Sequence, residues 1–532
     1  MKQNIGKYFF IIITILLVIC AVYLFYKNNS KKEDIDTSEE VSNSPTEYIA
    51  NLNLAISGYD TINPLITKNK QVIKISKLIF EPLIDIDENY KIKMCLAKEC
   101  AKISDTCYLI KLDEQIKWQD GIQISSKDVK FTIEQLKNIE SIYSSQVQEI
   151  QNVEIIDNST IKLNLSKGID FFEYYLSFPI LPNHIYENKN FTTNSIIPLG
   201  TGMYKIKTID SKAIVLEKNE LWKEKNEKNS KIETILISLY NNMGDVYSNF
   251  KIGNVDIIST SDNAYQEYIG NIGYNVKEYK GREYDFISLN CKNNILNEKE
   301  VRKAISYAIN KTKIISNIFD NKCYVAEFPL DYGNYLHTKD MPSKEYNIEQ
   351  AKKILKDAGW IYQNNKWQKK NEKGKITTLS FNITVQSDNE ARIKVAENIK
   401  EQLEELGVEI NIKKVADSVY TKCLQNKDYD IILTGINNGF SPDLDYFYGQ
   451  DNLAQYENDD VTSLINEIKK VTDSNILLTK YTKLIEIIES DSPYIGLYRN
   501  KETVILDKSI SGEINPNNYN IFNRVWTWYI QK

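Results

Sequence analysis

The chain has 532 residues, 42% apolar and 26% charged, enough to bury a large core and, at about 100–200 residues per domain, to make roughly three or four units. Its 66 basic and 72 acidic residues are interspersed to a formal charge of −6. That leaves no basic stripe for a nucleic-acid backbone and no acidic tail, so nucleic acid is excluded as a partner.

The first element in chain order is the uncharged run Tyr8–Tyr26. As a helix it reaches ~28 Å, close to the hydrocarbon thickness of a bilayer, and it exceeds the apolar region of a cleaved secretory signal. The reading is an uncleaved membrane anchor over 1–26. Lipidation of Cys20 is the alternative, weakened by the bulky Ile19 before it. Lys2 and Lys7 favour a cytoplasmic start, although Lys27, Lys31 and Lys32 dilute that signal. Either way the remainder lies on the extracellular face. Residues 27–47 are polar and charged, with Ile35 and Val41 the apolar exceptions, and read as a flexible tether.

The folded part begins near Tyr48. Cys95, Cys100 and Cys107 cluster early, without zinc spacing. Cys100 and Cys107 flank Ser104-Asp105, a candidate hairpin turn, so they are either a cross-strand disulfide or buried free thiols. Strands are predicted at Tyr108–Trp118, Asn152–Ile156, Thr160–Leu165 and Ile232–Tyr240, making small α+β units. Past residue 290 the pattern becomes an α/β rhythm. One helix opens at Asn297 with Glu300 and buries Val301, Ala304, Ile305, Ala308 and Ile309. The next is capped by Asn347 and ends at Gly359. A third opens at Ser387 with Glu390, carries Val395, Ala396, Ile399, Leu403 and Leu406, and stops at Gly407. Strands Val408–Ile412 and Tyr429–Thr434 follow, as in a mostly parallel sheet. The loop beyond, "TGINNGFSPDLDYFYGQ", leaves the carboxyl end of such a strand, where open α/β sheets bind ligands.

Signals for catalysis are absent. His184 and His337 fall in no HExxH pattern, and no GxSxG, GxxxxGK[ST] or GxGxxG string occurs. The pair Asp443 and Asp445 cannot be told from other acidic pairs by spacing. The expectation is a binding protein, not an enzyme, with no cofactor and no metal.

Several strings are more specific: "TINPLI" from Thr61, "LIFEPLIDID" from Leu78, "WQDGIQISSKDVKFT" from Trp118, "IIPLGTGMYKI" from Ile196, "VRKAISYAIN" from Val301, "AKKILKDAGW" from Ala351 and "VAENIKEQLEELGVEI" from Val395. In this order they resemble solute-binding protein family 5 of ABC importers, the oligopeptide, dipeptide and nickel-binding group, over roughly 48–532. Most have scaffold roles. Trp118 is a buried ring before a turn, Ser125 or Ser126 caps the helix of Val129, Ile133 and Leu136, and Gly200 and Gly202 supply backbone conformations closed to other residues.

The resemblance implies an α/β, two-lobed clamp of the periplasmic-binding-protein type with an extra small α+β domain. Lobe I would comprise 48–88, 200–285 and 505–532, the small domain 89–199 and lobe II 286–504. It also implies a monomer that encloses a short peptide or similar small solute and delivers it to permease and ATPase subunits. A sensor of the same fold, uncoupled from import, and a binder of a chelated metal are the alternatives. Peptide-binding members carry an aspartate for the peptide ammonium at the position matching Asn438. Three readings follow: Asp443 replaces that carboxylate; Asn437 and Asn438 bond a neutral or blocked ligand, with Phe440 or Tyr446 as an apolar wall; or the asparagines satisfy turn backbone. Tyr59 and Asn63 would border the cleft from the opposite lobe, and Tyr498 from near the last crossover.

Overall fold

The computed structural model describes residues 48–531, apart from 187–188, 193–195, 262–264 and 266–272. The expected anchor, the tether and Cys20 lie outside the described residues; within them, no helix is long and apolar enough to cross a membrane.

Alternation of apolar and polar residues builds the first sheet. Strand Asn51–Ser57 buries Leu52, Leu54 and Ile56 and runs parallel to Thr234–Tyr240, which continues antiparallel to Ala213–Lys218 and then Tyr204–Ile209. A second, antiparallel sheet has the order Ala97–Ser104, Cys107–Leu112, Thr160–Leu165, Ile150–Ile155. Helix Ser126–Asn138 lays Val129, Ile133 and Leu136 into the same core. The buried Asp128 carboxylate accepts from Ser125 N at 2.8 Å, Asn183 N at 2.7 Å and Trp118 Nε1 at 3.3 Å, which fixes the "WQDG" turn on the helix start.

Three expectations change here. The strand expected over Tyr108–Trp118 ends at Leu112, because Asp113 turns the chain with a side-chain bond to Gln115 N. Cys100 and Cys107 are not bonded; both are free. The hairpin turn exists, but Cys107 stands opposite Ser104 and Cys100 opposite Ile110. Three residues along a strand is ~10 Å, beyond the reach of a disulfide. Burial, with Glu173 adding, pushes the Cys100 thiol up to about 12. Gly200 and Gly202 also differ in reason, since neither adopts a left-handed φ. They are needed because the chain passes against a backbone: a Cβ on Gly200 would lie 1.9 Å from Ile79 O, and one on Gly202 2.9 Å from Leu78 O.

The large sheet has the order Ile257–Thr260, Tyr494–Asp507, Tyr274–Leu289, Ile431–Asn437, Ser380–Gln386, Glu409–Val415, with Cys323–Val325 on the side. It is mixed, not mostly parallel. Ser380–Gln386 is parallel to both its neighbours, and the long strands Tyr274–Leu289 and Tyr494–Asp507 run antiparallel to theirs. Both faces are buried, so successive residues enter different cores. Phe286 and Ile432 face helices Asp459–Ile468 and Ser474–Asp491; Ile287, Leu289, Ile431 and Leu433 face helices Lys299–Ala308, Ile348–Asp357 and Glu390–Leu406. Asn347 caps its helix as expected, and Gly407 ends its helix at φ 97°. Two caps shift. Glu298 replaces Asn297, and Asn389, whose side chain accepts from Arg392 N at 3.0 Å, replaces Ser387, whose backbone is bonded to Val415 O.

Candidate functional site

The two long strands of the large sheet begin or end against the first core, where Val504 and Leu506 pack, and their pairing shifts register twice, between Lys280 and Tyr284 and between Asp285 and Phe286. Lys280 pairs with Lys501 and Tyr284 with Arg499, so residues 281–283 stand opposite Asn500 alone. Gly281 permits this bulge, because a Cβ there would lie 1.8 Å from Asn500 Oδ1. The Asn500 side chain accepts from Glu283 N at 3.2 Å and donates to Glu502 at 3.2 Å, which holds the bulge in shape.

A cavity of about 770 Å³ opens beside the bulge. One wall is helix Lys70–Ser76 with Lys77, together with Met243 and Ser259; the other is Arg282, Glu283, Asn437 and Asn500, and Asn518 and Tyr519 close one end. The chemistry is cationic and aromatic. Lys77 Nζ lies 3.3 Å from the centre of the Tyr519 ring, Tyr519 meets Phe440 edge-on at 5.1 Å, and the Arg282 guanidinium lies 4.1 Å from the Phe440 ring. Burial lowers the Lys77 ammonium to about 8, partly opposed by Asp85. Burial likewise lowers Arg282 and Lys74; Glu502, 4.0 Å from Lys74, opposes the latter. Lys74 also donates to Ser259 Oγ at 2.7 Å. A smaller cavity, about 190 Å³, shares Lys77 on its far side and is bordered by Glu81, Asp85 and Glu224.

The loop after Ile431–Asn437 divides between this cavity and the protein interior. Asn437 lines the cavity. Asn438 turns inward: its N–H donates to Arg282 O at 3.0 Å, its C=O accepts from Arg282 Nη1 at 2.7 Å, and its side-chain amide donates to Pro329 O. Asn438 Oδ1 is buried without a partner among the described residues. Pro329 O also accepts from Arg499 Nη2 at 2.6 Å, and the fully buried Arg499 is paired with Asp331. Asn438 is therefore built into a buried polar network, and Phe440 carries the Arg282 guanidinium, stacks with the Tyr90 ring and meets Tyr519 edge-on.

The other predicted site residues do not line the cavity. Asp443 accepts from Asp445 N at 2.9 Å and opens the short helix Asp445–Tyr448, beside Lys469, which bridges Asp445 at 2.6 Å and Asp170 at 2.9 Å. Tyr446 is exposed and lies edge-on to Phe447 at 5.0 Å. Asn63 is buried, and its side chain accepts from Leu65 N at 3.1 Å within the "TINPLI" turn. Tyr59 packs half-buried against the first core. Tyr498 is buried against Phe319 at 4.6 Å, near the Arg392–Asp285 pair. Sequence reasoning missed Lys77, Lys74, Arg282, Glu502 and Tyr519. The signals nearest to them were the basic "KISK" ahead of "LIFEPLIDID" and the run "YKGREYD". Among the described residues no cluster of three or more His, Cys, Asp or Glu side chains could hold a metal. His184 bonds Asp120 at 2.8 Å, and His337 stacks on Phe328.

Comparison with known proteins covers most of the chain. The family model described as bacterial extracellular solute-binding proteins, family 5 matches residues 91–458. The oligopeptide-binding protein AppA of Bacillus subtilis is 24% identical over 88% of this chain and 89% of its own length. In fold, the chain is similar to the periplasmic murein tripeptide-binding protein MppA in an unliganded open form, with TM-score 0.76 and 16% identity over 91% and 98% of the two chains. It is also similar to a nickel ABC transporter protein of Bacillus halodurans, with TM-score 0.74 and 17% identity over 91% and 100%. The chain belongs to the bacterial extracellular solute-binding proteins, family 5.

Proposed function

We propose that this chain is the extracellular solute-binding subunit of an ABC importer, capturing a short peptide or similar small solute between two lobes and delivering it, chemically unchanged, to permease and ATPase subunits. The observation that carries this is the cavity of about 770 Å³ beside the bulge of the two long strands. Its volume suits a small-molecule site, and a paired crossover is where one rigid body turns against another at small cost. In this reading lobe I comprises 48–88, 200–285 and 505–532, the small domain 89–199 and lobe II 286–504. Residues 1–26 hold the protein in the membrane, through the run Tyr8–Tyr26 or a lipid on Cys20, and 27–47 let the monomeric clamp reach its permease.

Native mass spectrometry of the full chain, extracted in mild detergent, tests this. A bound small molecule that leaves intact on heating, with unaltered mass after prolonged incubation, is the expected result. Neither retained cargo nor thermal stabilisation by any member of broad peptide, sugar and chelate collections would overturn the reading.

A further inference from the structure

The charge in the cavity is opposite to what capture of a free amine requires. Lys70, Lys74, Lys77 and Arg282 face it, against the carboxylates of Glu283 and Glu502, although the chain as a whole is acidic at −6. Glu502 is already engaged by Asn500 at 3.2 Å and lies 4.0 Å from Lys74. The strand-end loop contributes amides in place of a carboxylate, and one of them, Asn438, is committed to Pro329 O. Lys77 and Arg282 differ from the other cations. Both are half-buried, both rest on aromatic rings, and among the described residues neither has a carboxylate within 4.0 Å. Asp85, the acid acting on Lys77, borders the smaller cavity on its far side. A half-buried cation without a counter-ion is destabilised by lost hydration and gains most from a docked anion. An ammonium placed there would meet the repulsion of the same groups.

We infer that the cleft takes an acidic solute: an amino-blocked or amine-free molecule that presents a carboxylate to Lys77 and Arg282, its body lying along the Tyr519 ring. This rests on the reading of the cleft as the solute site and specifies the charge of the cargo. The ring contacts hold both cations in place, so little side-chain freedom is lost when the anion docks.

Three tripeptide pools test this on the full chain in detergent, scored by native mass spectrometry and calorimetry: N-acetylated with free carboxyl ends, N-acetylated with carboxamide ends, and free-amine with carboxamide ends. The acid pool is expected to bind at least tenfold more tightly than either amide pool. Lys77→Gln is expected to cut that affinity at least tenfold, and Lys77→Arg to restore most of it. Arg282→Gln gives an independent loss, provided the variant keeps the wild-type melting temperature; the Lys77 pair decides the matter if it does not. Preference for the free-amine pool, equal binding of acid and amide pools, or acid binding untouched by Lys77→Gln would overturn the acidic-solute inference and leave solute capture standing. Failure of all three pools, with no cargo released by heating the purified chain, would overturn both.

Discussion

Asn438 shows how one side chain can separate a family's shape from its usual chemistry. Its amide donates to Pro329 O from a site 7% exposed, and a carboxylate there would bring an acceptor against an acceptor. Asn438→Asp is therefore expected to cost about 1–3 kcal/mol in urea denaturation at pH 7. The deficit should shrink on acidification, because a protonated carboxyl can donate the same bond. The sign follows from linkage: burial raises the folded-state pKa of the new carboxyl, so stability present at low pH is lost as pH rises through it. An unchanged midpoint at pH 7 would mean the amide is not engaged. Lys77 behaves in the opposite sense. Its folded-state pKa, lowered to about 8 from 10.5 by burial, means that the unfolded chain holds more protons between those values. Its penalty is constant below about 8 and is relieved as pH rises towards 10.5. The wild type should therefore gain on Lys77→Met across that window, read as the difference between their urea midpoints, and a flat difference would refute the buried-cation assignment.

At the scale of elements, the passage 200–204 is held by backbone contact. Gly202 N and Tyr204 N donate to Ile79 O and Leu78 O, each at 2.9 Å, leaving no room for a side chain at Gly200. Gly200→Ala must push the chain off strand-like contacts on both sides, and a loss of about 2–3 kcal/mol or more in thermal or urea unfolding is expected; a neutral outcome would require the Ile79 backbone to move freely. Elements whose identity is set within a dozen residues were legible from sequence. Helix Ile348–Asp357, with Asn347 before it and Gly359 after it, and the stripe Val395–Leu406 ending at Gly407, lie where the apolar period put them. Features set by partners distant in sequence were not. Ser387 is a good cap by type but is held in the sheet by Val415 O, so Asn389 takes the role. The Cys100–Cys107 hairpin has the right turn and the wrong offset for a bond. The cleft was the least legible part, since Arg282 and Glu502 on the two long strands are joined there by Lys77 and Tyr519 from segments distant in sequence. The strand-end loop was found by its position, but only Asn437 of its predicted ligands lines the cavity.

For the whole molecule, the bulge at 281–283 and contacts outside it make opposing contributions to closure. The bulged residues have left the ladder between Lys280 and Tyr284, so rotation there breaks few backbone bonds. Elsewhere, Lys469 reaches Asp170 at 2.9 Å, and Tyr335 N donates to Asn89 O at 2.9 Å, joining the segments expected to form lobe II and the small domain. A partly exposed ion pair contributes about 0–1 kcal/mol, too little to hold the clamp shut but enough to alter how often it closes unaided. A solute that binds only the closed form sees its affinity multiplied by the closed fraction. Lys469→Met removes the latch without entering a core, so cargo affinity should fall about two- to fivefold, the factor corresponding to ~0.4–1 kcal/mol. The melting temperature of the unliganded chain should barely move, and its radius of gyration by small-angle scattering should rise, with saturating cargo restoring the wild-type value. Loss of affinity accompanied by unaltered scattering would place the effect of Lys469 on its neighbour Asp445 and the loop beside it, and would remove the latch from the account of closure.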